Sequence, residues 1–383
     1  MITLLALSAD DLKKRFYFAI SNKIVLAFLL FFSMHVIWLF GSDNLQNALL
    51  KIKDFKYILF ILIFSMVLQS KFITKIVYGF FLAVFFSALV SFSAYFQFPF
   101  IYWFESSSLP LSFAAPFMLS HTQYGSILGL SAGLSLFLLI SDFKNSSRLL
   151  RFSLIMFFIL VSANILIVTS RMGYLLYIVS ITIVLLYVYR QYWHKVAIFT
   201  ILSFTVFFTV GYQYSPPFKV RIDVMFSDIE SLKESNFATS FGIRTGYYVY
   251  AFSAIRENFI WGVGTSDHTH SASEKIIQVE TDKANIDALL YAMQGGHNAS
   301  LESEYLDITL QFGIIGLVIF LNIFYQLFQG RSSNPSFKGI QLLLVGSMIF
   351  LSAGSVIFIA SDIGKVFILL SALTLQTLES DTA

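Results

Sequence analysis

Apolar residues fall along this chain in long blocks separated by short polar stretches. A helix rising about 1.5 Å per residue needs roughly 20 mostly apolar residues to cross a hydrocarbon core of about 30 Å. Blocks of that character lie at 21–40, 56–69, 73–96, 121–140, 152–169, 172–189, 196–214, 304–328, 340–360 and 363–378. The pattern predicts about ten transmembrane helices. A closed barrel is the other spanning solution, but barrel strands alternate apolar and polar positions. The run Ile58-Leu59-Phe60-Ile61-Leu62-Ile63-Phe64 does not alternate, so the predicted fold class is an all-α integral membrane protein.

Composition agrees with the pattern. Of 383 residues, 57% are hydrophobic and 12% charged, with a mean hydropathy of +0.76. A soluble domain carries about 25% charged residues. The amino-terminal stretch places Asp10-Asp11 and Lys13-Lys14-Arg15 after its short apolar run, the reverse of a signal peptide, so no cleavage is expected. The chain has no cysteine. Disulfides, thiolate metal sites and a cysteine nucleophile are therefore excluded.

Lys and Arg set the expected orientation. With the amino terminus in the cytoplasm, Lys13, Lys14, Arg15, Lys23, Lys71, Lys75, Lys144, Arg148, Arg151, Arg190, Lys195, Arg331 and Lys338 all face inward. The short outer segments hold only Lys51, Lys53, Lys56, Arg171 and Lys365. The net charge of +3 thus reads as a topology signal, with no nucleic-acid partner implied. The expected organisation is a first helical bundle over 1–214, an outer loop subdomain over 215–303 and a last bundle over 304–383. The loop opens at Pro216-Pro217 and is too long for a simple connection. Within it, Ile243, Tyr247, Ala251, Ala254 and Ile255 predict an amphipathic helix ending near Asn258, which lies against the bundle or in the membrane interface. No internal repeat or low-complexity run is present.

Polar chemistry is concentrated at a few points. Thr169-Ser170-Arg171-Met172-Gly173 joins two apolar blocks on the outer side, where an arginine either snorkels to headgroups or binds phosphate through its planar, permanently charged fork. Arg244 begins a tyrosine-rich helical face and either pairs with an acid of the loop or takes an anion. Arg256, beside Glu257, reads as solvated and turned toward headgroups. Gly295-Gly296-His297-Asn298 places an imidazole and an amide next to a backbone able to approach a ligand closely; a helix-entrance histidine bonded to a neighbouring carbonyl is the plainer reading. Asp267-His268-Thr269-His270 lacks the third ligand of a zinc site and reads as surface. His121 stands at the outer start of a helix as a neighbour of the site, and His35 reads as structural. No D-x-D triplet and no G-x-x-x-x-G-K phosphate loop occurs, so ATP is not implied and no cofactor or metal is expected.

Four of these features, in this order, resemble the O-antigen ligase and O-antigen polymerase superfamily. They are Ser170-Arg171-Met172-Gly173; Arg244 leading to Ile255-Arg256-Glu257-Asn258-Phe259-Ile260-Trp261-Gly262-Val263-Gly264; His297-Asn298; and Phe312-Gly313-Ile314-Ile315-Gly316-Leu317. The resemblance covers roughly 152–329. Two departures stand out: fewer helices than many ligases have, and a longer interval from His297 to Gly313, through Leu301-Glu302-Ser303-Glu304-Tyr305. The second departure makes Glu302 and Glu304 alternatives to the histidine. The resemblance implies a metal-independent, inverting glycosyltransferase in the bacterial inner membrane, with its active site facing the periplasm. It would move a glycan from undecaprenyl diphosphate to lipid A-core. His297, Arg171 and Arg244 would be catalytic, with Asn298, Ser170, Glu302, Glu304, Arg256 and His121 binding substrate. A repeat-unit polymerase shares the donor site. A transporter or flippase of lipid-linked glycan is the alternative from another class, set against the near absence of ionisable residues at helix centres.

Overall fold

The structure is a computed structural model describing residues 12–68, 72–98, 116, 119–141, 147–294, 299–330, 335–358 and 362–380. These residues are almost wholly helical, with no strand among them. Among the described residues, eight helices are long and apolar enough to cross a membrane, and the chain is an all-α, multi-pass membrane protein. The eight cover the expected blocks at 21–40, 73–96, 121–140, 152–169, 172–189, 196–214, 304–328 and 340–360. The block at 56–69 instead forms a 3₁₀ turn, Lys56–Leu59, and a short helix, Phe60–Val67, of 8 residues. The block at 363–378 is a helix, Asp362–Ser380, outside the eight.

The chain forms two compact units. The first comprises Met1–Leu68, Val224–Gly330 and Leu351–Gln376. Its helices begin with α1 (Leu12–Ser21), α2 (Lys23–Ile37), α3 (Leu45–Phe55) and α4 (Phe60–Val67). Asn22 caps α2 by accepting from the Ile24 amide at 2.9 Å, and Asn44 caps α3 from Asn47 at 3.0 Å, each satisfying an amide that the first helical turn leaves open. The second unit comprises Gln69–Asp223, Arg331–Phe350 and Thr377–Ala383. It contains α5 (Ile73–Phe96), α6 (His121–Ser141), α7 (Arg148–Ile167), α8 (Arg171–Val188) and α9 (Trp193–Tyr214). Two of the points where the chain passes between the units fall within α10 (Pro216–Lys233) and α15 (Pro335–Gly354).

Four helices follow in the first unit: α11 (Ser240–Glu257), α12 (His268–Val279), α13 (Lys283–Ala292) and α14 (Glu304–Gln329), with α16 (Asp362–Ser380) last. Asn258 ends α11, as its apolar spacing predicts. Tyr247, Tyr250, Ala251, Ala254 and Ile255 of α11 pack with Ala272 and Ile276 of α12, Leu289 of α13 and Leu306 and Leu310 of α14. The other face of α11 leaves Val249 and Phe252 exposed, so this helix is apolar on two sides. Helix α2 lies along α14, where Phe31, His35, Phe312 and Phe320 make edge and tilted ring contacts. His35 is fully buried and its Nδ1 lies 2.8 Å from the Phe31 carbonyl.

Helix α14 is broken at Gly313, whose φ of 64° and ψ of −162° leave the helical region. The break frees carbonyls that must find other partners inside an apolar bundle. They find the chain after α11: Val263 N donates to Leu310 O at 2.9 Å, Gly264 N to Gln311 O at 3.0 Å, and in return Ile314 N donates to Phe259 O at 2.8 Å. Two glycines permit this approach. A Cβ on Gly313 would lie 2.1 Å from Ile260 O, and one on Gly262 would lie 2.3 Å from Gln311 O.

In the second unit, α6 and α8 run parallel in close contact. Gly125, Gly129 and Gly133, spaced four apart on α6, face Ser170 with Gly173, the backbone at Tyr177, and Ser180 respectively. Small residues at this spacing let two helix backbones approach in lipid, where no hydrophobic force separates helix from solvent. A buried polar node supports the seam: Tyr124 OH donates to Asn164 Oδ1 at 2.8 Å, and Asn164 Nδ2 donates to Ser91 Oγ at 3.0 Å.

Candidate active site

The site is built in the first unit around Arg244, in the second turn of α11. Thr239 caps this helix by accepting from the Gly242 amide at 3.0 Å. Arg244 Nη2 donates to Glu302 Oε2 at 2.9 Å, while Nη1 donates to Ser240 O at 3.1 Å. The side chains are 31% and 47% exposed, so the pair faces solvent but is not a freely solvated surface pair. Glu302 has a φ of 57°, a left-handed conformation that costs a side-chain-bearing residue about 1 kcal/mol or more. Of the two outcomes weighed for Arg244, the acid of the loop is the one present.

Glu302 is held from both sides. Leu301 N donates to Asp307 Oδ1 at 2.8 Å, and Lys51 Nζ donates to Ala299 O at 3.3 Å. Ser303 Oγ donates to Ser352 O at 3.3 Å, and Tyr248 OH contacts both Ser303 Oγ and Ala353 O. Behind Arg244, the Tyr247 hydroxyl donates to Leu289 O at 3.2 Å. Burial raises its pKa, the Glu302 carboxylate adds to the rise and the Arg244 guanidinium opposes it.

Glu304 differs sharply from Glu302. Its side chain is buried, and Oε2 accepts from Ile357 N at 2.5 Å and Phe358 N at 3.2 Å. Arg256 is exposed, with its guanidinium 5.9 Å from the centre of the Phe252 ring. His297 and Asn298 lie outside the described residues.

In the second unit, Ser170 is buried and caps α8, its Oγ accepting from Gly173 N at 2.9 Å. Arg171 is therefore the first residue of α8, and His121 is the first of α6. Because α6 and α8 are parallel through the Gly125 and Gly173 contact, His121 and Arg171 stand at the same end of that helix pair. A cation at a helix N-terminus opposes the macrodipole, and an anion there would be favoured by both the guanidinium and the helix dipole.

Residues that the sequence analysis did not place at the site lie beneath Glu302. Lys51, Asp307 and His268 are all buried, with His268 Nε2 3.5 Å from Asp307 Oδ1. Burial lowers the Lys51 pKa against the pull of Asp307, Glu304 and Asp54. Burial likewise holds the His268 imidazole well below its usual range, and the Lys51 charge adds to that depression. The surface reading of His268 is thus reversed, whereas its neighbour His270 is indeed exposed and lies 3.6 Å from Glu274. No local pattern separates the two: His268 begins α12 facing Asp307, a partner that lies on another helix far along the chain. Among the described residues, no group of three or more His, Asp or Glu is arranged to hold a metal ion.

A comparison with curated proteins gave no match. A family described as O-antigen ligase matches residues 155–321. That span contains the α8 cap with Arg171, the Arg244 helix, the Trp261-Gly262-Val263-Gly264 segment and the Gly313 break against which it packs. Over residues 155–321 the chain is thus similar to the O-antigen ligase family, in the stretch that carries the four motifs read from the sequence.

Proposed function

We propose that the protein transfers a glycan from undecaprenyl diphosphate to a sugar hydroxyl of lipid A-core, at the periplasmic face of a bacterial inner membrane. The observation that carries this reading is Arg244, whose guanidinium is partly exposed and already engaged with one anionic oxygen at 2.9 Å. A diphosphate offers the same fork of oxygens, and fixed cations aimed at a leaving group act where charge develops in the transition state. Arg171, the first residue of α8 in the second unit, is the other arginine assigned to binding an anionic group. The family match over residues 155–321 supports the reaction class, and the motifs it spans do not separate ligases from polymerases.

In the proposed step the acceptor oxygen attacks the anomeric carbon while the bond from that carbon to the phosphate oxygen breaks. The configuration inverts, and undecaprenyl diphosphate leaves with the bonding electrons. His297 takes the acceptor's proton or binds the diphosphate, and Glu302 is the alternative base, with the reaction needing no metal. Asn298, Arg256 and His121 bind substrate. Ser170 and Glu304, both buried, contribute through the backbone they hold.

The test is glycan transfer by purified protein in detergent, with lipid-linked glycan and lipid A-core supplied separately and together. Product formed only when the core is present supports ligation. Product from the donor alone would replace it with polymerisation. Glycan that crosses liposomes without transfer would overturn the enzyme reading in favour of a flippase. Activity should persist in chelator, and a requirement for an added divalent ion would contradict the metal-free step.

A further inference from the structure

The conformation of Glu302 is explained only in part by its own contacts, since Ser300 Oγ accepts from its amide at 3.3 Å, a long hydrogen bond. A φ of 57° is unfavourable for glutamate, and the exposed ion pair with Arg244 is too weak to impose it. The peptide groups on its amino-terminal side are held from beneath. The Lys51 ammonium, reaching up from α3, donates to the carbonyl of Ala299 at 3.3 Å. The Asp307 carboxylate, in the first turn of α14, accepts from the amide of Leu301 at 2.8 Å. Both side chains are essentially without solvent exposure. A cation therefore grips a carbonyl and an anion grips an amide, two residues apart, in the step of chain that leads into Glu302.

Packing alone does not call for this arrangement. A buried ammonium is costly unless it is paired and hydrogen-bonded, and apolar side chains of similar volume commonly replace such groups without loss of stability. We propose that Lys51 is a positioning residue which, with Asp307, fixes the backbone of residues 299–301 so that Glu302 is presented to Arg244 in register for an anionic substrate group. This rests on the glycan-transfer reading of Arg244 given above.

Two measurements test the proposal, and neither needs glycan transfer to occur. The chain has no cysteine, so Ala299→Cys introduces a single thiol at a buried position of the held segment. Maleimide labelling of that thiol should be slow in the otherwise unaltered protein and faster by about ten-fold or more in a Lys51→Met/Asp307→Asn background, which removes both charges together. Equal labelling rates would overturn the proposal. In the unaltered protein, the Leu301 amide, bonded to the buried Asp307 carboxyl, should exchange with deuterium slowly; fast exchange at Leu301 would overturn it without any variant at all. If transfer is observed, the double variant should unfold near the wild-type temperature yet lose at least about ten-fold in kcat, with the KM for lipid-linked glycan little changed, since small misplacements of a catalytic group act on the chemical step. A double variant with wild-type kcat would reduce Lys51 to a charge partner of Asp307. Absence of transfer alongside slow labelling and slow exchange would count against the glycosyltransferase reading and leave the backbone clamp standing.

Discussion

The candidate chemistry depends on a few side chains whose type matters more than their charge. Arg244 presents a planar fork, of which Nη2 holds Glu302 and Nη1 holds Ser240, and a lysine ammonium cannot keep both while meeting a diphosphate. Arg244→Lys should lower transfer by about 10²-fold, comparable to losing one transition-state donor, as read from initial rates at saturating acceptor. Arg171→Ala should abolish transfer while membrane insertion stays normal, measured by matched protein levels in washed membranes. His268 supplies a pH prediction. Its imidazole is buried and held below the usual value of 6.5, so the unfolded chain takes up the proton first as pH falls. Stability contributed by neutral His268 is therefore complete above about pH 6.5 and declines below it. Thermal unfolding between pH 7 and pH 5 should show a smaller acid loss in His268→Phe than in the wild type; identical slopes would remove His268 as a source. Arg171 and Arg244 were legible as candidates because arginine beside an apolar block is unusual. Lys51 was not, because its partner Ala299 lies 248 positions along the chain, and Asp307 was not, because its bond to the Leu301 amide exists only once the turn at Glu302 has formed.

Two glycine-dependent elements carry these side chains. The first is the break in α14, where Gly313 and Gly262 let the segment Phe259–Gly264 exchange backbone hydrogen bonds with the interrupted helix. Gly313→Ala adds a Cβ against Ile260 O at a positive φ. Combining a left-handed alanine with overpacking, it should cost about 3 kcal/mol or more, visible as a lower unfolding midpoint and early proteolysis after α11. The second is the seam between α6 and α8. Gly129→Val would push into the backbone at Tyr177, so it should separate the helices and lower transfer even though it touches neither arginine. A Gly129→Val protein with wild-type rates would show that the seam does not set the position of Arg171. The sequence displayed both glycine-bearing motifs as separate marks along the chain. That Trp261-Gly262-Val263-Gly264 closes the gap opened at Gly313 was hidden, since neither motif carries a signal for its partner. The glycine spacing of α6 was open to view, but its meaning required knowing which helix lay opposite.

For the molecule as a whole, class was the most legible property. Apolar blocks longer than any soluble helix needs, with 12% charged residues, fix a helical membrane protein through the cost of burying backbone polar groups in lipid. Helix count was less secure, because the apolar block at 56–69 folds as a 3₁₀ turn and an 8-residue helix that cannot cross a bilayer by itself. The division into two compact units draws segments from distant parts of the chain, which no local pattern encodes. The central claim about the whole molecule is that it breaks the bond between a glycan and undecaprenyl diphosphate rather than moving the intact lipid. The most direct measurement is the amount of free undecaprenyl diphosphate released, followed by mass spectrometry alongside glycan product from purified protein. The account predicts one molecule of undecaprenyl diphosphate per glycan transferred, and none from Arg244→Ala. Consumption of donor without release of the diphosphate, or undiminished release from that variant, would contradict it.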